Sequence, residues 1–187
     1  MANCSWAQGS PALQQYHDQI WGRPEHSERL LFEWLCLETY QAGLSWQTVL
    51  NKQAAFEAAF SDFELTKVAA LTDNDLERLL QDPTIIRNRL KLSATINNAQ
   101  AILKLDASGE YDSLATYLWH FVDGRPIINR PRQDADVPST SPLAKTIAKD
   151  MKQRGFKFVG PTVIYSWLQA VGVVDDHLVG CRAKTAN

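Results

Sequence analysis

The chain has 187 residues, 45% of them hydrophobic and 21% charged, which is enough apolar material for one core of ordinary domain size and excludes an intrinsically disordered segment. No apolar run approaches the ~20 residues of a membrane span. Three cysteines, an odd number, beside an amino terminus (Met1 to Trp6) with neither a basic segment nor an apolar stretch, point to a reducing, cytoplasmic compartment in which thiols stay free or hold metal.

The periodicity is helical throughout and strand signals are poor, so the expected fold class is all-α, one domain over 1–187 without repeats. Ser27 caps a helix to about Ala42, with Gly43 as its stop, and Ser45 opens another that carries Trp46, Val49, Phe56 and Phe60. Shorter helices are expected at about 65–71 and 73–81; Pro83 precedes a long one from about Ile85 to Leu105, and another covers about 112–122. Residues 123–141, with four prolines and glycines among them, read as the longest irregular stretch. Pro142 then starts a helix to Arg154, Gly155 ends it, and Pro161 starts a last helix to about Val171. This makes a helix-hairpin-helix unit at about 142–172.

Nineteen basic against 21 acidic side chains give no overall sign of a nucleic-acid partner, but residues 1–84 carry 5 basic and 12 acidic groups, whereas residues 85–157 carry 12 and 7. A basic middle suits a phosphate-binding face and equally suits a solvated surface. The hairpin Phe158-Val159-Gly160-Pro161-Thr162 adds backbone N–H groups at a helix N-terminus, which is where a DNA phosphate binds; an ordinary helical corner has the same residues. Arg87, Arg89, Lys91, Lys152, Arg154 and Lys157 are the candidate phosphate contacts.

Two further constellations carry chemistry. Cys4 and His17, with His177 and Cys181 at i and i+4, would complete a tetrahedral zinc set that ties the chain ends together and leaves no open coordination position. A terminal thiol and a small core cysteine are the alternative. Glu38 falls on the apolar stripe of its helix, four residues after Trp34, near Tyr16, Tyr40 and Trp46. A carboxylate among aromatic rings suits a flat, nitrogen-bearing ligand, or else is a core cluster with a Glu at its rim.

These residues resemble the bacterial 3-methyladenine DNA glycosylase I (TAG) family along nearly the whole chain: Cys4-Ser5-Trp6, Tyr16-His17-Asp18, Trp21-Gly22, Leu37-Glu38, Gln41-Ala42-Gly43-Leu44-Ser45-Trp46, Ile85-Ile86-Arg87, Pro138-Ser139-Thr140-Ser141, the run Arg154 to Gly160, Asp176-His177 and Cys181. The resemblance implies a helix-hairpin-helix glycosylase of two helical lobes with a lesion pocket between them. It implies a structural zinc at Cys4, His17, His177 and Cys181, base reading by Glu38, and stacking by Tyr16 and Trp46, with Trp6 in the same base-binding set. Gly43 and Leu44 would form a wedge at the gap left by a flipped nucleotide, beside a hairpin of Lys157, Phe158, Val159, Gly160 and Thr162 on the DNA.

The implied reaction is hydrolytic removal of 3-methyladenine from alkylated double-stranded DNA by a monomer without lyase activity, releasing the free base and leaving an abasic site. Two alternatives stand beside it: a zinc-stapled module that recognises alkylated bases without excising them, and a metal-dependent hydrolase with Glu38 as general base. Leu13, Ile20 and Pro83-Thr84 depart from the family pattern, and Leu13 would thin the aromatic lining. Asp175 stands where the family commonly has asparagine, either as a further catalytic carboxylate or as a cap for the turn that bears His177.

Overall fold

The computed structural model describes residues 4–184; Met1 to Asn3, part of the amino-terminal reading above, lie outside them. Among the described residues, ten α-helices and one minimal pair of strands form the fold, and no helix is long and apolar enough to cross a membrane.

After a 3₁₀ turn at Ser5–Gly9 comes α1 (Pro11–Gln19), a helix the sequence reading did not anticipate. Its glutamine-rich segment hides a stripe of Leu13, Tyr16 and His17 at i, i+3 and i+4, all buried. Ser10 accepts the Leu13 N–H and Pro11 occupies the first turn, a strong start signal.

Helix α2 (Glu28–Gln41), capped by Ser27, runs through the centre of the molecule and is buried from Leu31 to Tyr40. The helix expected from Ser45 to Phe60 divides into α3 (Trp46–Leu50) and α4 (Gln53–Ala59). The break falls at Asn51-Lys52, where the Asn51 side chain accepts from Gln47 and Lys52 turns its ammonium onto the Thr84 carbonyl, 2.6 Å away.

α5 (Leu65–Ala69) and α6 (Asp73–Gln81), the latter with a Thr72/Asp75 capping box, lead to α7 (Arg89–Ala107). α7 begins four residues later than expected, because Asn88 caps it by accepting the Lys91 N–H and Asp82 holds Thr84 in a turn upstream. α8 (Leu114–His120) follows its Ser113/Thr116 capping box.

α9 (Pro142–Gln153) and α10 (Pro161–Ala170) form the expected helix-hairpin-helix unit. α10 packs on α2 and α9 and anchors there through Trp167, whose indole N–H donates to the Leu31 carbonyl at 2.9 Å.

The stretch 123–141 is not wholly irregular. β1 (Ile127–Ile128) pairs in parallel with β2 (Val174–Asp175), Ile127 opposite Val174 and Ile128 opposite Asp175. Two residues per strand are too few for a sequence signal, yet they fix how residues 174–178 present their side chains. The turn between α1 and α2 is pressed against the same segment. A side chain at Gly22 (φ +71°) would come within 2.9 Å of the His177 ring, and one at Gly172 (φ +68°) would overlap the Arg23 backbone.

Candidate base-binding cavity and DNA face

A cavity of about 360 Å³ opens beside α2, between α1 and α3 on one side and α10 on the other. Trp6, Tyr16, Trp21 and Trp46 form aromatic walls, with ring centroids 5.1 Å apart for Tyr16 and Trp46, 5.1 Å for Trp6 and Trp21, and 6.2 Å for Trp6 and Tyr16. Leu13 is buried beside Gly9 and does not line this space. Its departure from the family pattern therefore leaves these walls intact.

Glu38 enters from the middle of α2 and is 5% exposed. It makes no hydrogen bond among the described residues, and burial pushes its carboxyl up to about 8. The Tyr16 hydroxyl and the Trp46 indole N–H are also buried without partners. Burial raises the Tyr16 hydroxyl well above its ordinary value, with the Glu38 charge adding to the effect. The Tyr16 hydroxyl and Trp46 N–H are thus sealed around one aromatic slot with their hydrogen-bonding capacity unused, an arrangement that costs free energy unless something enters, and the Glu38 carboxyl faces the same slot.

The far wall is polar and largely escaped the sequence reading: Gln41, Ser166, Gln169 and Asp176 all face the cavity. Ser166 and Gln169 could have been noticed as polar residues set among Ile164, Trp167, Leu168 and Ala170, the buried apolar residues of α10. Asp175, the aspartate singled out from the sequence, is absent from the lining. Its Oδ1 accepts the backbone N–H of His177 at 2.9 Å and sits 2.8 Å from that ring's Nδ1, so its geometry is that of a cap and ring support for His177. The cavity receives the neighbouring Asp176.

Bordering the cavity, which Cys4 also lines, the ligating atoms of Cys4, His17 and Cys181 all lie within 4.8 Å of one another, and all three residues are buried. The Cys181 Sγ is 3.5 Å from His17 Nε2, while Asp18 engages Nδ1 of the same ring at 2.8 Å. Burial lowers the His17 pKa and so favours the neutral imidazole a metal requires. Burial also raises the Cys4 thiol to about 11, so a cation would have to bring the charge that turns it into thiolate. His177 is not within this trio, but its ring meets His17 edge-on at 4.8 Å between centroids. The cluster can hold a metal ion, and Glu38 is not part of it.

On the outer face, Gly43 (φ +83°) and Leu44, 41% exposed, form the loop after α2. Lys91 lies beneath this loop, contrary to its reading as a phosphate contact. It is 6% exposed, and its ammonium donates to the Tyr40 carbonyl at 3.0 Å and the Ala42 carbonyl at 2.6 Å, closing the C-terminus of α2.

Arg154 is likewise committed, to Asp150 and both oxygens of Glu110, and Arg89 to Glu77. Arg87, Lys152 and Lys157 stay exposed and make no ion pair among the described residues. In the hairpin, Val159 is buried and Phe158 is 38% exposed at a left-handed φ of +57°. The Lys157 backbone is not free: its N–H donates to Asn98 Oδ1 at 2.8 Å, and Asn98 Nδ2 donates back to its carbonyl at 3.0 Å. Asn97 holds the Gly155 carbonyl at 2.8 Å. Among the described residues, the backbone N–H groups without a partner here are those of Phe158, Val159, Gly160, Thr162 and Val163, at and just before the start of α10.

An all-helical chain with an aromatic, acid-bearing cavity beside a helix-hairpin-helix has the architecture of base-excision glycosylases, and comparison with known proteins gives the family. A family model described as methyladenine glycosylase matches residues 6–184, and the chain belongs to that family. It is 44% identical over 187 residues to DNA-3-methyladenine glycosylase 1 of Escherichia coli (strain K12), covering all of this chain and 99% of that one. It is 40% identical over 183 residues to DNA-3-methyladenine glycosylase of Haemophilus influenzae, covering 98% of each. A solved structure of 3-methyladenine DNA glycosylase I from Staphylococcus aureus, concerned with 3-methyladenine recognition, superposes with a TM-score of 0.94 at 40% identity over 99% of this chain and 97% of that one.

Proposed function

We propose that this protein is a base-excision repair glycosylase that flips 3-methyladenine out of alkylated duplex DNA into the Glu38 cavity and hydrolyses its N-glycosidic bond. The observation that carries the reading is the buried, unpartnered Glu38 carboxyl in an aromatic slot with the Tyr16 hydroxyl and Trp46 indole N–H equally unpartnered. Methylation at N3 makes the purine cationic in the nucleoside. Tyr16, Trp46 and Trp6 offer π faces to that charge, and Glu38, which gives up its proton as the cation enters beside it, accepts the base's N–H groups, contacts an unmodified adenine cannot match in strength.

A cationic purine leaves readily. The C1′–N9 bond breaks with its electron pair going to the base, water adds to C1′, and the water's proton passes to solvent, so the protein's work is positioning and electrostatics. Flipping costs a few kcal/mol. Leu44 on the Gly43 loop fills the gap, while the N–H groups of Val159, Gly160 and Thr162, with Lys157 and Phe158 beside them, hold the bent backbone.

Cys4, His17, Cys181 and His177 would bind one zinc ion. Two buried thiols, two imidazoles and the carboxylate supports on both rings (Asp18 and Asp175) fit that ion. Bound there, zinc supplies a structural cross-link between the chain ends, and Glu38 reads the base independently of it. We take the chain to act as one domain over 1–187, as a cytoplasmic monomer without lyase activity.

Chromatography of bases released from methylated DNA, with a chelator present, tests the proposal. Wild type is expected to release 3-methyladenine and Glu38→Ala to release little. A folded wild type that binds this DNA and releases no base would support recognition without excision instead.

A further inference from the structure

The far wall of the cavity contains a buried carboxylate with no part in the reading above. Asp176 is 1% exposed and accepts three hydrogen bonds: from Asn129 Nδ2 at 2.7 Å on one oxygen, and from the Tyr165 hydroxyl at 2.6 Å and Gln169 Nε2 at 2.7 Å on the other. A carboxylate only accepts, so the Gln169 atom 2.7 Å from it must be the amide nitrogen. The other end of that amide is therefore the carbonyl oxygen. Gln169 lines the cavity, and its Oε1 has no hydrogen-bond partner among the described residues while not being sealed from solvent. Gln169 and Glu38 line the same cavity.

We infer that Gln169, its amide locked by Asp176, is a specificity-determining residue that presents a fixed hydrogen-bond acceptor to the bound base and so selects a purine with an amino group at C6 over one with an oxo group there. The inference rests on the cavity being the base site. Its chemistry is that of the base edges: adenine carries an N6 amino donor where guanine carries the O6 acceptor. Against Gln169 Oε1, an O6-bearing base sets acceptor against acceptor, where an N6 amino group would donate. A freely rotating glutamine would simply flip and offer its NH₂; Asp176 prevents the flip. Asp176 is thus a positioning residue acting through Gln169, and Asn129 and Tyr165 hold it in turn.

The test uses tryptophan fluorescence to measure affinities of the free bases 3-methyladenine and 3-methylhypoxanthine, which differ in amino against oxo at C6 and in the imidazole proton that accompanies the oxo form; the change of ratio on substituting Gln169 isolates the C6 contact. Wild type is expected to favour the amino base by at least about tenfold, the scale of one buried hydrogen bond. Gln169→Met, of similar shape and without the acceptor, is expected to narrow that ratio about tenfold. Asp176→Asn, which frees the amide to flip, is expected to narrow it less, at an unchanged ratio of signal amplitudes. A purely structural role would weaken both bases equally. A wild-type ratio near one, or a folded Gln169→Met that keeps the wild-type ratio, overturns the inference. A wild type that binds neither base and releases none from DNA would instead overturn the assignment of the cavity.

Discussion

The base cavity and the hairpin treat their polar groups in opposite ways. Around the hairpin the side chains that shape its backbone are used, while Lys152 and Lys157 stay exposed: both ends of the Asn98 amide clasp Lys157, Asn97 holds Gly155, and Arg154 is spent on Glu110 and Asp150. The hairpin is a finished surface, which suits a phosphate backbone that is the same at every nucleotide. In the cavity the Tyr16 hydroxyl and the Trp46 N–H have no partner and Glu38 accepts nothing. Each such group costs ~1–3 kcal/mol when left unpaired in the interior. A site that must tell one base from another keeps its polar groups waiting for the one ligand that completes them, and the fold is less stable for it.

Glu38→Gln should disturb this contrast most. Excision of 3-methyladenine is expected to fall about a hundredfold or more, because the charge-assisted bonds to the cationic base are lost, as single-turnover assays would show. The same substitution should stabilise the empty protein at high pH. Glu38 keeps its proton in the folded state up to about 8, against an ordinary value of 4.5. Between those values the folded chain holds a proton the unfolded chain has released, so this group's contribution to stability declines as pH rises and is lowest above 8. Glu38→Gln should then exceed wild type above pH 8 by an upper bound of about 5 kcal/mol, with the difference gone near pH 4.5. Equal denaturation curves at pH 8.5 would show that the empty cavity is not strained as described.

Asn98→Ala attacks the other region. It removes two hydrogen bonds and leaves the Lys157 N–H and carbonyl to solvent, for an expected loss of about 2 kcal/mol of stability. DNA affinity is expected to weaken about tenfold while free 3-methyladenine binds as before. Fluorescence anisotropy with a DNA duplex, beside base titration, separates the two; an equal loss of base affinity would mean that the regions are not independent.

The punctuation of the chain was legible, because caps and stops are local: Ser27, Ser45, Pro142 and Pro161 each open the helix they predict. Glu38 was legible too, since a carboxylate on an apolar stripe conflicts with its own helix. The two aspartates show where reading stops. Successive side chains in an extended segment point to opposite sides, so whether Asp175 or Asp176 faces the cavity depends on the register of β2 against β1, a long-range pairing two residues wide. Lys91 went astray similarly. A lysine in the first turn of α7 looks like a surface cation until the C-terminus of α2 is laid over it. Helix α1 was masked by its own glutamines, although its buried residues keep helical spacing.

The smallest expected effect sharpens the contrast furthest. Tyr16→Phe deletes one hydroxyl that is buried with no partner. Core substitutions that remove atoms ordinarily destabilise. Here the deleted group is one whose burial is uncompensated in the empty protein, so the variant should be more stable than wild type by up to about 1 kcal/mol. The gain should disappear, or reverse, when denaturation is repeated with saturating 3-methyladenine, since binding then stabilises wild type by the contact the variant lacks. A variant less stable than wild type without ligand would place the hydroxyl among the satisfied groups of the core and remove it from those that wait for the base.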